Sequence, residues 1–197
     1  MCDVPVFYAT SEGHTRLIAE RLADRLRAHG LDSRAIAIVS EETSHFDWRR
    51  ARGAAIAASV HAGKHQAEAR AFARLNAATL SALPSMFVSV SLAAASVHPE
   101  EVQAAREIAD RLTTDAGWQP TRTASVAGCL AYTKYNWFVR LFMRRIARQE
   151  GGSTDTTRDH VYTNWRQVDE CADQLATAIL ARGKVPGNAQ FSLRAAS

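Results

Sequence analysis

Val4-Pro5-Val6-Phe7-Tyr8-Ala9-Thr10-Ser11-Glu12-Gly13-His14-Thr15 opens the chain, and its reading decides the fold. Val4 to Ala9 is an apolar run of the length of a buried strand, and a short hydroxyl- and glycine-bearing turn follows it. Over residues 16–29 the pattern becomes helical, with Leu17, Ile18, Leu22 and Leu26 on one side and charges on the other. Strand, tight turn and helix start together make an anion site. The first N–H groups of a helix have no partner within it, and the helix dipole favours negative charge there. Thr10, Ser11 and Thr15 add hydroxyl donors, and Gly13 lets the backbone come close to a ligand. A helix cap that binds nothing is the alternative use of the same residues.

The rest of the chain repeats the alternation. Gly30 fits a helix C-cap, residues 33–39 read as a second strand, and Phe46 and Trp48 read as packing anchors in a polar connection. Residues 51–60 are small and apolar, fitting strand or helix by composition. The β-α-β alternation demands a strand there. Residues 66–79 predict a helix with Ala69, Phe72, Ala73 and Leu75 inward. Pro84 precedes a fourth strand at 85–91, Pro99 opens a helix over 100–116, and 121–127 reads as a fifth strand. Residues 159–163 read as a continuation of the fifth strand, and Asn164 caps a last helix to about residue 182.

The expected fold class is therefore α/β, a doubly wound five-stranded parallel sheet forming one domain over residues 1–182. It carries an insert at 128–152, and a tail at 183–197 lacks periodicity and reads as flexible. In such sheets ligands sit beyond the carboxyl ends of the strands, at the switch in strand order.

Composition narrows the function classes. A chain of 197 residues, 47% hydrophobic and 22% charged, suits one domain with a proper core. It has no apolar stretch of 18 residues, and its first strand begins too close to Met1 for a signal peptide. Cys2, Cys129 and Cys171 are odd in number and widely spaced, which fits reduced, cytoplasmic thiols and implies no metal site. The net charge is +4. Residues 128–152 hold Lys134, Arg140, Arg144, Arg145 and Arg148 against Glu150, so the whole excess sits in the insert. That is a localised feature on a neutral body and gives no reason to expect a nucleic-acid partner.

The turn lacks the lysine of the GxxxxGK phosphate loop and lacks GxGxxG. Thr10-Ser11-Glu12-Gly13-His14-Thr15 resembles instead the flavodoxin loop Thr/Ser-x-x-Gly-x-Thr, which holds the phosphate of FMN. The second half sharpens this likeness. Gly151-Gly152-Ser153-Thr154-Asp155-Thr156 and Val161-Tyr162-Thr163-Asn164-Trp165 resemble the menaquinone-dependent protoporphyrinogen dehydrogenases, flavodoxin-like FMN enzymes of haem synthesis. The insert, from Ala127-Gly128-Cys129-Leu130-Ala131-Tyr132 to Tyr135-Asn136-Trp137-Phe138, is similar to theirs. The resemblance covers about residues 4–180, and the flavodoxin-like strand order it implies would bring the loops 10–15, 59–65 and 91–98 together. Two loops depart from the family: Ala62 stands where an aromatic residue can stand, and 91–96 is less basic.

The resemblance implies FMN held by Thr10, Ser11, Glu12, Gly13, His14 and Thr15, by Ser59, Val60, His61, Gly63 and Lys64, and by Ser91, Leu92 and Ala93. It implies oxidation of protoporphyrinogen IX, with electrons passed to menaquinone or ubiquinone at the inner-membrane surface. His61, His65 and Tyr132 are the candidate proton acceptors; a loop histidine also serves as an ordinary hydrogen-bonding residue. In the insert, residues 136–149 have helical spacing, with Phe138, Leu141, Phe142 and Ile146 on one side and Arg140, Arg144 and Arg148 on another. Lys134, Tyr135, Trp137, Arg140, Arg144, Arg145 and Arg148 suit a membrane interface, the propionates of a porphyrinogen, or a plain docking helix. The expected place is cytoplasmic and peripheral on the inner membrane. A homo-oligomer stays open, as do two other functions, a flavodoxin-type electron carrier and an FMN-dependent NAD(P)H:quinone reductase.

Overall fold

Strands apolar on both faces can be covered only by helices on both faces, and the chain supplies them. The computed structural model describes residues 2–130 and 160–183. In order they form β1 (Val4–Ala9), α1 (His14–Ala28), β2 (Ser33–Ala37), α2 (Glu41–Ser44), β3 (Ala54–His61) and β4 (Lys64–His65). Then come α3 (Ala67–Leu75), α4 (Ala77–Ala82), β5 (Ser85–Ser91), α5 (Pro99–Ala116) and β6 (Arg122–Ala127). After β7 (Cys129–Leu130) the description resumes at β8 (His160–Val161) and ends on α6 (Trp165–Gly183).

Five strands run parallel in the order β2-β1-β3-β5-β6, the doubly wound arrangement expected. A sixth, β4, folds back antiparallel on the end of β3, so the sheet has six strands where five were expected. Two residues are too short to carry a strand pattern in sequence.

Alternation along β1 divides the core. Val4 and Val6 face Ile18, Leu22 and Leu26 of α1 and Leu175 and Ile179 of α6. Phe7 and Ala9 face the opposite layer, with Ala69 of α3, Leu80 of α4, Leu112 of α5 and Trp118. Phe46 and Trp48 do anchor there, their ring centroids each 5.5 Å from that of Phe7. A seam of exposed ion pairs joins α1 to α6: Arg21 to Asp169 at 2.7 Å, and Arg25 and His29 to Asp173 at 2.6 and 2.7 Å. Hydrogen bonds from Arg25 and His29 hold the Asp173 carboxyl down to about 2. Solvent-exposed pairs of this kind contribute about 0–1 kcal/mol each, so the seam fixes helix register more than it stabilises.

Several sequence expectations need correcting. Leu17 is 51% exposed, one position off the buried stripe of Ile18, Leu22 and Leu26. Leu75 is 85% exposed, since two residues beyond buried Ala73 is nearly the opposite face of the helix. The single helix expected over 66–79 breaks at Asn76, whose side-chain amide donates to Phe72 O at 2.9 Å and competes with the helical ladder. The second strand stops at Ala37 instead of 39. The stretch at 159–163 does not extend the fifth strand: β8 pairs antiparallel with β7 in a separate two-stranded sheet. The expected insert helix at 136–149 and the tail beyond Gly183 lie outside the described residues.

Gly53, just before β3, marks a close approach between sheet and α6. A Cβ there would stand 2.5 Å from Ile179 Cδ1 and 2.9 Å from Pro84 O. The isoleucine can turn away but the carbonyl cannot. Gly53→Ala is expected to lower unfolding stability by about 1–3 kcal/mol, the usual range for overpacking. Urea unfolding of the variant against the parent measures this.

Candidate cofactor site

The chain leaves β1 at Ala9 and turns at once into α1. Thr10 Oγ1 accepts from Gly13 N at 2.9 Å, closing the turn, and Gly13 takes a left-handed φ of +94° that a side chain would resist. Gly13 is also the N-cap of α1 and gives it no side-chain cap, and the first turn carries no acidic residue. The leading N–H groups of α1 thus keep the positive end of the dipole open to an anion.

This cradle forms one wall of a cleft of about 410 Å³, within the usual about 300–1,000 Å³ of small-ligand sites. The second wall is the hairpin of β3 and β4. His61 pairs with Lys64, and both turn residues, Ala62 (φ +48°) and Gly63 (φ +75°), are left-handed, which is the primed two-residue turn. For Ala62 that conformation costs roughly 1–2 kcal/mol, and the residue lies against the cleft. The third wall is Ser91, Leu92 and Ala93, after β5. Ser91 is 8% exposed, and its hydroxyl has no hydrogen-bond partner among the described residues. A buried hydroxyl left over at a cleft wall fits a ligand that completes it.

Of the residues expected to bind a cofactor, Thr10, Ser11, Glu12, His14, Thr15, Ser59, Val60, His61, Gly63, Ser91, Leu92 and Ala93 all line this cleft. Gly13 shapes the turn from within it. Lys64 is exposed and does not belong to the lining. His14 has a structural partner. Thr163 Oγ1 donates its one hydrogen to Ala127 O at 2.7 Å, so it receives the Nε2–H of His14, also at 2.7 Å. Burial lowers the pKa of His14, in keeping with a neutral ring.

The expected proton acceptors separate. His61 lines the cleft. His65 is 4% exposed, with Nε2 3.0 Å from Ser89 Oγ and its ring against Phe87, and it does not line the cleft. Burial, helped by the positive charge of Arg70, pushes the His65 imidazole down to about 4. Tyr132 lies outside the described residues, with Lys134, Tyr135, Trp137, Arg140, Arg144, Arg145 and Arg148. Sequence reasoning missed Ala105 and Ile108 of α5, which line the cleft with Val90, Gly128 and Cys129. Their spacing of three along a helix was the available signal, but it looks the same as ordinary core packing. No metal-holding cluster occurs among the described residues, and Cys2, Cys129 and Cys171 form no disulfide.

Residues 5–157 match the model of the flavodoxin domain family. The chain is 31% identical over 171 residues to protoporphyrinogen IX dehydrogenase (quinone) of Escherichia coli strain K12, covering 87% of this chain and 93% of that protein. A protein of the same name from Leishmania major is 28% identical over 176 residues, 89% of this chain and 75% of the other. Among solved structures, a flavodoxin of Streptococcus pneumonia TIGR4 matches with a TM-score of 0.52 at 18% identity, over 91% of this chain and 98% of that one. That last likeness is one of fold.

The buried His65 gives the protein an acid-sensitive window. Its folded pKa of about 4 lies below the 6.5 of an unconstrained imidazole. Above pH 6.5 both folded and unfolded chains carry it neutral. As pH falls from 6.5 toward 4 only the unfolded chain takes the proton, so stability declines by up to about 1.4 kcal/mol per pH unit. His65→Phe is expected to flatten that decline, read from urea midpoints at pH 7, 6, 5 and 4.

Proposed function

The chain belongs to the flavodoxin domain family and to the protoporphyrinogen IX dehydrogenase (quinone) family, and from that premise we propose that it oxidises protoporphyrinogen IX to protoporphyrin IX, passing the electrons to a membrane quinone. It is an oxidoreductase of the flavodoxin type, and its cofactor is FMN. The observation that carries the reading is the cleft itself: an uncapped helix start, two flanking loops and a buried serine hydroxyl without a partner among the described residues converge on one volume.

FMN supplies a carrier that accepts two electrons from one reactant and yields them to another. The chain's own residues do the rest. Thr10, Ser11, Thr15 and the leading amides of α1 would hold the FMN phosphate. The hairpin turn at Ala62 and Gly63 and the 91–93 loop bound the space beside it and restrict water. Leu92 lines the cleft and stays exposed, an apolar side chain for a large apolar reactant to lie on. Removing electrons from a porphyrinogen also releases protons, and in this reading His61, which lines the cleft, takes one at its imidazole. Six electrons leave in three such rounds, reducing three quinones to quinols.

The basic insert brings the cleft to an anionic bilayer, each cation near the surface contributing about 1 kcal/mol. No helix among the described residues is long and apolar enough to cross a membrane.

The test is an anaerobic assay of FMN-loaded protein with protoporphyrinogen IX and a menaquinone analogue. Bleaching of the flavin by protoporphyrinogen and its recovery with quinone are expected. Flavin left oxidised by protoporphyrinogen, yet reduced by NADPH or by a reductase, would overturn the reading. Deleting residues 134–149 is expected to abolish turnover on vesicles while leaving FMN bound, as read from the visible spectrum.

A further inference from the structure

Gln66 is the N-cap of α3, yet its side chain makes no bond to that helix. It reaches back to the cleft walls instead. Its Nε2 donates to Ser11 Oγ of the phosphate loop at 3.2 Å and to Ser59 Oγ of β3. Both serines line the cleft, while Gln66 stands behind them. Its Oε1 is buried and has no partner among the described residues.

The hydrogen inventory of these three groups is small enough to follow completely. A primary amide has two N–H hydrogens, and here each goes to one serine. A serine hydroxyl has one hydrogen of its own and can accept through its lone pairs. With both Oγ atoms engaged as acceptors from Gln66, each serine keeps its hydrogen to donate elsewhere, and the volume they share is the cleft. Turning the amide over would pair Oε1 with the serines but leave the Nε2 hydrogens buried where Oε1 now lies, without a partner among the described residues. It would also draw both hydroxyl hydrogens away from the cleft. Either orientation leaves one end of the amide unsatisfied. The orientation that donates to the serines is the one favoured when the two hydroxyls meet acceptor oxygens of a ligand.

We propose that Gln66 is a positioning residue that presets Ser11 and Ser59 as paired donors to the phosphate-bearing, oxygen-rich chain of FMN. The proposal rests on the FMN reading above and adds to it the residue that decides which way the serine hydrogens face.

A double-mutant cycle tests it, with FMN affinity of the full-length apoprotein read by quenching of flavin fluorescence. The variants are Ser11→Ala, Gln66→Glu and the pair, and thermal melts check that each folds. In the parent, Ser11→Ala is expected to weaken FMN about tenfold, the loss of one hydrogen bond to a charged group. A glutamate at 66 accepts only, so it captures the Ser11 hydrogen. On that background Ser11→Ala is expected to cost less than about twofold. Through-space repulsion between Glu and phosphate is the same with or without Ser11, so it cancels in the cycle. A tenfold penalty in both backgrounds, or unchanged affinity in Gln66→Glu, would overturn the proposal. If Gln66→Glu fails to fold, Gln66→Met takes its place, and a Ser11→Ala penalty undiminished there overturns it equally. A parent that binds no FMN would overturn the cofactor reading too, whereas a parent that binds FMN with an additive cycle overturns this inference alone.

Discussion

Everything at the cleft depends on the abutment of β1 and α1. β1 is buried through Val4, Val6 and Phe7, each with no exposed surface, so the strand cannot shift without opening both core layers. α1 is pinned just as firmly by Ile18, Leu22 and Leu26. Only Thr10, Ser11, Glu12 and Gly13 join them, and the left-handed Gly13 with the Thr10 hydroxyl closes that short connection. The helix start therefore faces a fixed point in space with its amides already oriented. That is preorganisation, and it lets a bound anion gain the dipole interaction without ordering a loop at the moment of binding.

The other two walls are held differently. The 91–93 loop follows β5, whose seven residues are all buried, so its position is inherited from the centre of the sheet. The hairpin at Ala62 and Gly63 is an excursion beyond the sheet. It is held by two cross-strand residue pairs and by His65, buried against Phe87 and bonded to Ser89. Keeping a neutral histidine there makes the hairpin sensitive to acid, while its unpaired turn residues sit over the cleft. A left-handed alanine at such a place is the kind of local strain that a rigid surround maintains and a free loop would relax.

Much of this was legible in the chain because the decisive signals were local. A buried strand, a glycine in a hydroxyl-rich turn and a helical stripe are each set by neighbours within a few residues, and the loops 10–15, 59–65 and 91–98 followed from alternation together with the flavodoxin-like strand order that the resemblance implies. What escaped was non-local or too short. Asn76 breaks a helix through one side-chain bond that propensity does not register. β4 is two residues long. Lys64 and His65 stood side by side in a polar loop, but pairing with β3 leaves the first exposed and carries the second into the core. The bond between His14 and Thr163 had no local signal, because the two lie 149 residues apart.

The bonds that fasten the far end of the chain bear on how the charged insert can act. β7 and β8 pair Cys129 with Val161, Tyr162 N donates to Gly128 O at 3.0 Å, and Thr163 joins Ala127 to His14. Gly128, Cys129 and His14 all line the cleft. The segment between β7 and β8 therefore departs from and returns to the mouth of the cofactor site, whatever path it takes between. Within it residues 131–152 hold Lys134, Arg140, Arg144, Arg145 and Arg148 against Glu150, a local excess of +4. A cationic segment anchored anywhere else on the body could attract a bilayer or an acidic reactant without delivering it to the flavin. Anchored here, any attraction it exerts raises the local concentration beside the cleft.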